Sequence, residues 1–196
     1  MKNLSDIISS NPLVQATTSN KEKDANSLSS LVIRDMSQSD CIKLGLGVES
    51  VSADIIDDRT SLENIKPKNK KGKKERDHLF LDENNKTIYY AEFKANLNLD
   101  TEKSKSTYTK CIDIARELQL EYPGYQVQWC LVGCRYTSAD TIPGVIQKKY
   151  DTIKFHLFGI NEYFNLLGVD VYFTEEDYSK FINEIADAMF DEPVWF

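Results

Sequence analysis

Hydrophobic and polar positions along this chain switch between two periods, and the changeovers mark its elements. Leu79, Phe80 and Leu81 form a short apolar run, Asp82 to Lys86 is polar and rich in asparagine, and Thr87 to Lys94 is β-branched and aromatic. That order predicts a β-hairpin. Asn84-Asn85 is the expected two-residue loop, because asparagine tolerates positive φ better than other residues that carry a Cβ. The register follows: Leu81 faces Ile88, Leu79 faces Tyr90 and Asp77 faces Glu92. Tyr125 to Tyr136 alternates and then becomes continuously apolar, which predicts a strand buried on both faces and lying next to the hairpin.

Helical spacing governs much of the rest. Leu28 to Asp57 has apolar residues at mostly helical intervals, interrupted near Gly45 and Gly47, and reads as two helices with a break. Tyr108, Cys111, Ala115, Leu118 and Tyr122 mark one face of a helix that begins at Asp100 or Thr101 and ends before Pro123-Gly124. Further on, Ile153–Phe158 reads as a strand, Asn161–Leu167 as a short helix and Asp170–Phe173 as a short strand. Thr174 to Asp177 has the capping-box pattern and opens a last helix with Tyr178, Phe181, Ile182, Ile185 and Met189 on one face. Residues 1–30 read as a loose N-terminal arm or short helices, and the apolar tail Pro193–Phe196 as packing against the body or a partner subunit. The sum is one domain over 1–196 of α/β class, α+β-like: a central mixed β-sheet with an antiparallel hairpin, flanked by helices. Its parts are a basic loop over 66–76, a core over 77–136 and a C-terminal elaboration over 150–196.

Composition narrows the class. A chain of 196 residues can bury roughly 70% of its unfolded surface, and 41% hydrophobic residues with 11% aromatics exclude a wholly disordered chain. Cys41, Cys111, Cys130 and Cys134 contain no CxxC, and His78 and His156 are the only histidines, so a zinc site is poorly supported and free thiols are expected. Asp6 interrupts the N-terminal segment, which lacks the apolar core of a secretory signal, and no apolar run reaches membrane-spanning length. A cytoplasmic protein without a membrane partner is the expectation.

Charge adds a local feature. The net charge of −7 argues against a chain that coats nucleic acid uniformly, yet Lys66 to Arg76 holds seven basic residues in eleven. A solvated loop is the bland reading of such a run. Its placement directly before Asp77 lets Lys70, Lys71, Lys73 and Lys74 reach a polyanion lying across the hairpin's acidic end. Lys103, Ser104 and Lys105, with Lys110 further along the first turns of the next helix, offer hydroxyls, cations and backbone N–H groups to phosphate, or form solvated first turns. Asn96 and Asn98 suit either bidentate adenine recognition or the turn-and-cap geometry before that helix.

The hairpin end carries the candidate chemistry. Glu92 and Lys94 project to the same side of their strand, and Asp77 opposite Glu92 makes a like-charge pair that needs a cation. Two carboxylates and a lysine on one spot suit divalent-metal phosphodiester cleavage. Asp77, then Glu92-Phe93-Lys94, then a helix and a strand resembles the PD-(D/E)XK nuclease superfamily, and most of all its type II restriction endonucleases. The resemblance covers residues 75 to about 136, with Arg76 where the motif's name has proline. It implies a restriction-endonuclease-like fold with Mg²⁺ on Asp77 and Glu92, Lys94 as the motif lysine, and a further acid from the preceding helix. Glu49 is the candidate for that acid, with Asp57, Asp58 and Glu63 as alternatives. It also implies action on double-stranded DNA at a short site; cutting both strands with one site per chain calls for a homodimer. The rival readings are a repair or recombination nuclease selecting structure or damage, and a non-catalytic nucleic-acid-binding domain. Residues for phosphohistidine, GIY-YIG or HNH chemistry are lacking, His78 faces away from Asp77 as a structural residue, and no glycine-rich loop calls for a nucleotide cofactor.

Overall fold

A five-stranded mixed sheet runs in the order β1 (Glu63–Asn64), β2 (His78–Asp82), β3 (Thr87–Lys94), β4 (Gln126–Gly133), β5 (Leu157–Phe158). The computed structural model describes residues 1–16, 28, 31–32, 36–66, 75–99, 101–153 and 156–190. Strands β1, β2 and β3 are antiparallel to one another in turn, while β3–β4 and β4–β5 are parallel. The hairpin has the expected register, with Leu79 opposite Tyr90 and Leu81 opposite Ile88.

Its turn is different. The strands end at Asp82 and Thr87, giving a loop over Glu83–Lys86, and the positive φ falls on Lys86 (49°) instead of Asn84 or Asn85. The Asp82 carboxylate causes this by accepting from the Asn85 N–H at 3.0 Å and from its side-chain amide at 2.7 Å. An Asx-type closure of that kind takes the place of a two-residue turn. The ladder also stops one pair short of Asp77, at His78–Ala91. Beyond it the Phe93 N–H donates to the Asp77 Oδ2 at 2.8 Å, so a side chain continues what the backbone leaves off.

Parallel pairing of β3 with β4 needs a crossover, supplied by α4 (Thr101–Glu121). Alternation along the strands then divides the core. Phe80, Ala91, Phe93, Cys130 and Val132 pack on one side with α1 (Leu4–Ser10), α2 (Pro12–Gln15), α3 (Gln38–Arg59), α6 (Ile160–Leu166) and α7 (Glu175–Phe190). Leu79, Leu81, Ile88, Tyr90 and Leu131 pack on the other with α4 and α5 (Gly144–Thr152). Strand β4 is thus covered on both faces over its second half, as its unbroken apolar run requires. On α4 the buried stripe is Ser104, Cys111, Ile114 and Leu118, with Ile114 in the central place expected of Ala115.

Three expectations fail, and one pair of alternatives is decided. Helix α3 is continuous through Gly45 and Gly47. At Gly47 a Cβ would stand 2.5 Å from the Met189 sulfur, so this glycine brings α7 close instead of breaking the helix. Over residues 1–16 the short-helix alternative holds and the loose arm does not: α1 and α2 bury Ile7, Ile8 and Val14, and Asn11 caps α2 while its amide donates to Ser50 and Asp54 of α3. Residues 170–173 form no strand, because the Asn161 side chain takes both the N–H and the C=O of Phe173. Among the described residues of the expected Ile153–Phe158, strand β5 comprises Leu157 and Phe158, after the unanticipated α5. The last helix is as expected, with the Thr174 hydroxyl accepting from the Asp177 N–H at 3.1 Å. The tail over 193–196 lies outside the described residues. Among the described residues no helix is long and apolar enough to cross a membrane.

Candidate active site

Strands β3 and β4 end side by side at Lys94 and Gly133, and a cavity of about 540 Å³ opens beyond their carboxyl ends. Crevices in this position are where open α/β sheets bind ligands. Gln38, Ile42, Leu46 and Glu49 of α3 form one wall, Lys110 of α4 contributes to the opposite side, and Asp77, Glu92, Lys94 and Asn96 come from the strand ends. The three acids and the lysine proposed from sequence therefore share one cavity. Period-two alternation delivers Tyr90, Glu92 and Lys94 to the same face of β3. The long α3 carries Glu49 to the cavity because helix and sheet are bound together through His78.

His78 is buried, with its Nε2 2.8 Å from the Glu49 carbonyl oxygen and its Nδ1 2.9 Å from the Tyr163 hydroxyl. A carbonyl only accepts, so Nε2 carries the proton and Nδ1 accepts from Tyr163. Burial pushes the imidazole pKa down to about 3, which keeps it neutral. Its place is structural.

Glu92 is 1% exposed and heavily bonded. Lys94 reaches Oε1 at 2.7 Å, Lys110 reaches Oε1 at 2.8 Å and Oε2 at 2.7 Å, and the Tyr90 hydroxyl donates to Oε2 at 3.0 Å. Burial alone would raise the Glu92 pKa, but the two ammonium groups outweigh it and hold the carboxyl below its usual range. Burial likewise works against the Lys94 charge, and Glu92 reverses the effect, so the Lys94 pKa is raised. Burial, joined by the nearby Glu92 charge, raises the Tyr90 pKa far enough that it stays a neutral donor.

Asp77 has the opposite environment. Burial, then repulsion from Glu92 and Glu49, push its pKa up to about 7 against the attraction of Lys94. Its Oδ2 holds the Phe93 N–H, and no partner for Oδ1 stands among the described residues. Glu49 pairs with Lys66 at 2.7 Å. Cys111, behind Tyr90, and Cys134, on the cavity, have thiol pKa values pushed up to about 12 chiefly by burial, so neither offers a thiolate. All four cysteines are free.

Other sequence candidates fall elsewhere. Asp57, Asp58 and Glu63 do not line this cavity. Ser104, 2% exposed, lies on the packing stripe of α4, seven residues from Cys111, so it faces the core and not a ligand. Lys103 and Lys105 are exposed. The Asn96 side chain accepts from the Asn98 N–H at 2.8 Å, which is turn geometry, though Asn96 also borders the cavity. Lys70, Lys71, Lys73 and Lys74 lie outside the described residues. The two ends of the basic run are engaged: Lys66 on Glu49, and Arg76, 6% exposed, on Glu117 and Glu121 of α4. Arg76 thus fastens β2 to α4 and is no surface cation.

Tyr90 and Glu75 were not among the sequence candidates, and Lys110, read only as one of the lysines offered to phosphate at the start of its helix, was not expected on Glu92. Tyr90 was legible as the same-face neighbour of Glu92. Lys110 directly precedes the buried Cys111, and only the packing of α4 on the sheet aims it at Glu92. Glu75 adds an exposed acid at the cavity rim.

The donor set suits a hard cation in kind, since Asp77, Glu92 and Glu49 bring oxygen ligands. As arranged, no group of three or more His, Cys, Asp or Glu among the described residues is placed to hold a metal ion. Glu92 faces two lysines instead. Compared with known proteins, the chain matches no family model, no curated protein and no solved structure.

Proposed function

We propose that this cavity is the active site of a Mg²⁺-dependent endonuclease that hydrolyses double-stranded DNA at a short sequence as a homodimer, in the manner of a type II restriction enzyme. One observation carries the reading: Asp77, Glu92, Lys94 and Glu49, from three separate segments, line a single cavity at the carboxyl ends of parallel strands. The antiparallel β2–β3 hairpin joined through α4 to a parallel β4 agrees with the restriction-endonuclease-like arrangement that the PD-(D/E)XK resemblance implies.

Mg²⁺ on Asp77, Glu92 and Glu49 would supply Lewis-acid charge to the phosphate and lower the pKa of a water. The chain's own groups do the rest. Lys94, 31% exposed at its side chain, sets an ammonium beside Glu92 where negative charge grows in the transition state. Tyr90 and His78 hold Glu92 and the Glu49 main chain in place. The exposed Lys103 and Lys105, with the lysine-rich run before Asp77, would steer the DNA backbone to the cavity.

A second reading has its own support. Glu92 is already saturated by Lys94, Lys110 and Tyr90, as in a structural ion-pair cluster, which favours a non-catalytic nucleic-acid-binding domain. Incubating the protein with a long duplex and Mg²⁺ separates the two. Discrete fragments, with loss of about a hundredfold or more in rate for Asp77→Ala, Glu92→Gln and Lys94→Ala, are expected. Cutting confined to branched or damaged DNA would indicate a repair nuclease, and binding without cutting under any divalent metal the non-catalytic domain. Undiminished cutting by the Asp77 or Glu92 variant would remove the site.

A further inference from the structure

We infer that Lys110 holds the metal position of Glu92 until substrate phosphate draws it away, so that metal and DNA bind this cavity cooperatively. The inference rests on the metal-dependent reading above. Its basis is the geometry at Glu92. Lys110 Nζ bridges both carboxylate oxygens, at 2.8 Å and 2.7 Å, which is how a bidentate cation would sit. Lys94 and Tyr90 each hold one oxygen only, Oε1 and Oε2 respectively.

An ionised carboxylate has about four acceptor positions. Withdrawing Lys110 frees one on each oxygen and leaves one anchor on each. Glu92 then keeps its orientation and presents both oxygens to an incoming ion. Lys110 is also able to leave. Tyr90 is fixed within the sheet and 1% exposed, whereas the Lys110 and Lys94 side chains, 29% and 31% exposed, stand at the ends of flexible stems, and of these two only Lys110 would free both oxygens by leaving.

A destination exists on the same helix. Lys103, Thr107 and Lys110 repeat at spacings of four and three and share one face of α4, beside the buried stripe. A phosphodiester lying along that face would meet Lys110 once it left Glu92. Lys110 is thus a positioning residue: it keeps the Glu92 carboxylate aligned and its charge balanced in the free protein, then brings its own charge to the phosphate while the metal takes its place. By linkage, whatever DNA does for metal affinity, metal does equally for DNA affinity.

The test is Mn²⁺ binding by titration calorimetry on the full chain, with and without a DNA duplex, for wild type, Lys110→Met, Lys110→Gln, Lys110→Arg, Glu92→Gln and Asp77→Asn. Without DNA, Lys110→Met and Lys110→Gln should each bind Mn²⁺ about tenfold more tightly than wild type, and Lys110→Arg should restore weak binding. DNA should tighten Mn²⁺ binding to wild type about tenfold and do so little for the Met and Gln variants. Unchanged or weaker Mn²⁺ binding in both variants, with Glu92→Gln still losing the metal, would overturn the role of Lys110 and leave the metal site standing. If neither Glu92→Gln nor Asp77→Asn alters Mn²⁺ binding, the metal-dependent reading fails and takes this inference with it.

Discussion

Glu92 and Asp77 stand at the ends of neighbouring strands and line the same cavity, yet the fold treats them in opposite ways. Around Glu92 it places two ammonium groups and a phenol within hydrogen-bond reach, and the carboxyl loses its proton more readily than a free one. Asp77 is buried with one backbone N–H on its carboxylate and two other acids nearby, which outweigh the attraction of Lys94, and the carboxyl pKa is pushed up to about 7. One corner is a satisfied ion cluster that contributes to folding. The other is an acid whose charged form is disfavoured by burial and by neighbouring acids, a perturbation of the kind that marks candidate functional groups.

The largest effect should come from deleting Glu92. Glu92→Ala leaves Lys94, Lys110 and Tyr90 facing an empty space, and a loss of about 3 kcal/mol in urea unfolding is expected. Asp77→Asn keeps an acceptor for the Phe93 N–H and removes the repulsion, so above pH 7 it should be at least as stable as wild type. Equal losses in the two variants would erase the contrast.

Acidity sharpens it further. The Asp77 pKa is raised on folding, so wild-type stability relative to Asp77→Asn should fall as pH rises from 3.8 to about 7, by at most about 1.4 kcal/mol per pH unit. The Glu92 pKa is lowered, so its contribution relative to Glu92→Gln is present above the ordinary glutamate value of 4.5 and is lost as pH falls through the lowered one. Unfolding curves across pH should therefore give difference slopes of opposite sign. Two slopes of the same sign would mean that the corners are not distinct.

Two smaller changes probe each corner alone. Tyr90→Phe removes one donor from Glu92 Oε2 and should lower stability by about 1 kcal/mol without altering the Asp77 titration. Lys66→Ala breaks a half-exposed pair with Glu49 on the Asp77 side and should change stability by less than about 1 kcal/mol. Thermal unfolding reads both, and a Lys66 effect larger than the Tyr90 effect would reverse their order.

How far these corners were legible depends on the kind of constraint. Alternation fixes faces, so Glu92 with Lys94 and the pairing of Leu79 with Tyr90 could be read from local pattern. The α4 and α7 stripes were legible in the same way. Contacts between distant segments were not. Lys110 meets Glu92 only because the crossover lays α4 on that face of the sheet, and Arg76 looked like one more surface cation until Glu117 and Glu121 came beside it. Gly47 resembled a break because local rules cannot register Met189 arriving from the other end of the chain. Residues 170–173 resembled a strand because a single side chain, Asn161, does there what a neighbouring strand would do.

The bond from His78 to residue 49 goes to the main-chain carbonyl, not to the side chain. Any amino acid at that position presents the same carbonyl, so the α3 wall stays attached to the sheet whatever side chain faces the cavity. Position 49 is therefore an interchangeable socket: drift or design can alter the side chain that faces the cavity there at constant architecture. Position 92 has no such independence, because the carboxylate that serves the cavity also holds the cluster of Lys94, Lys110 and Tyr90 together.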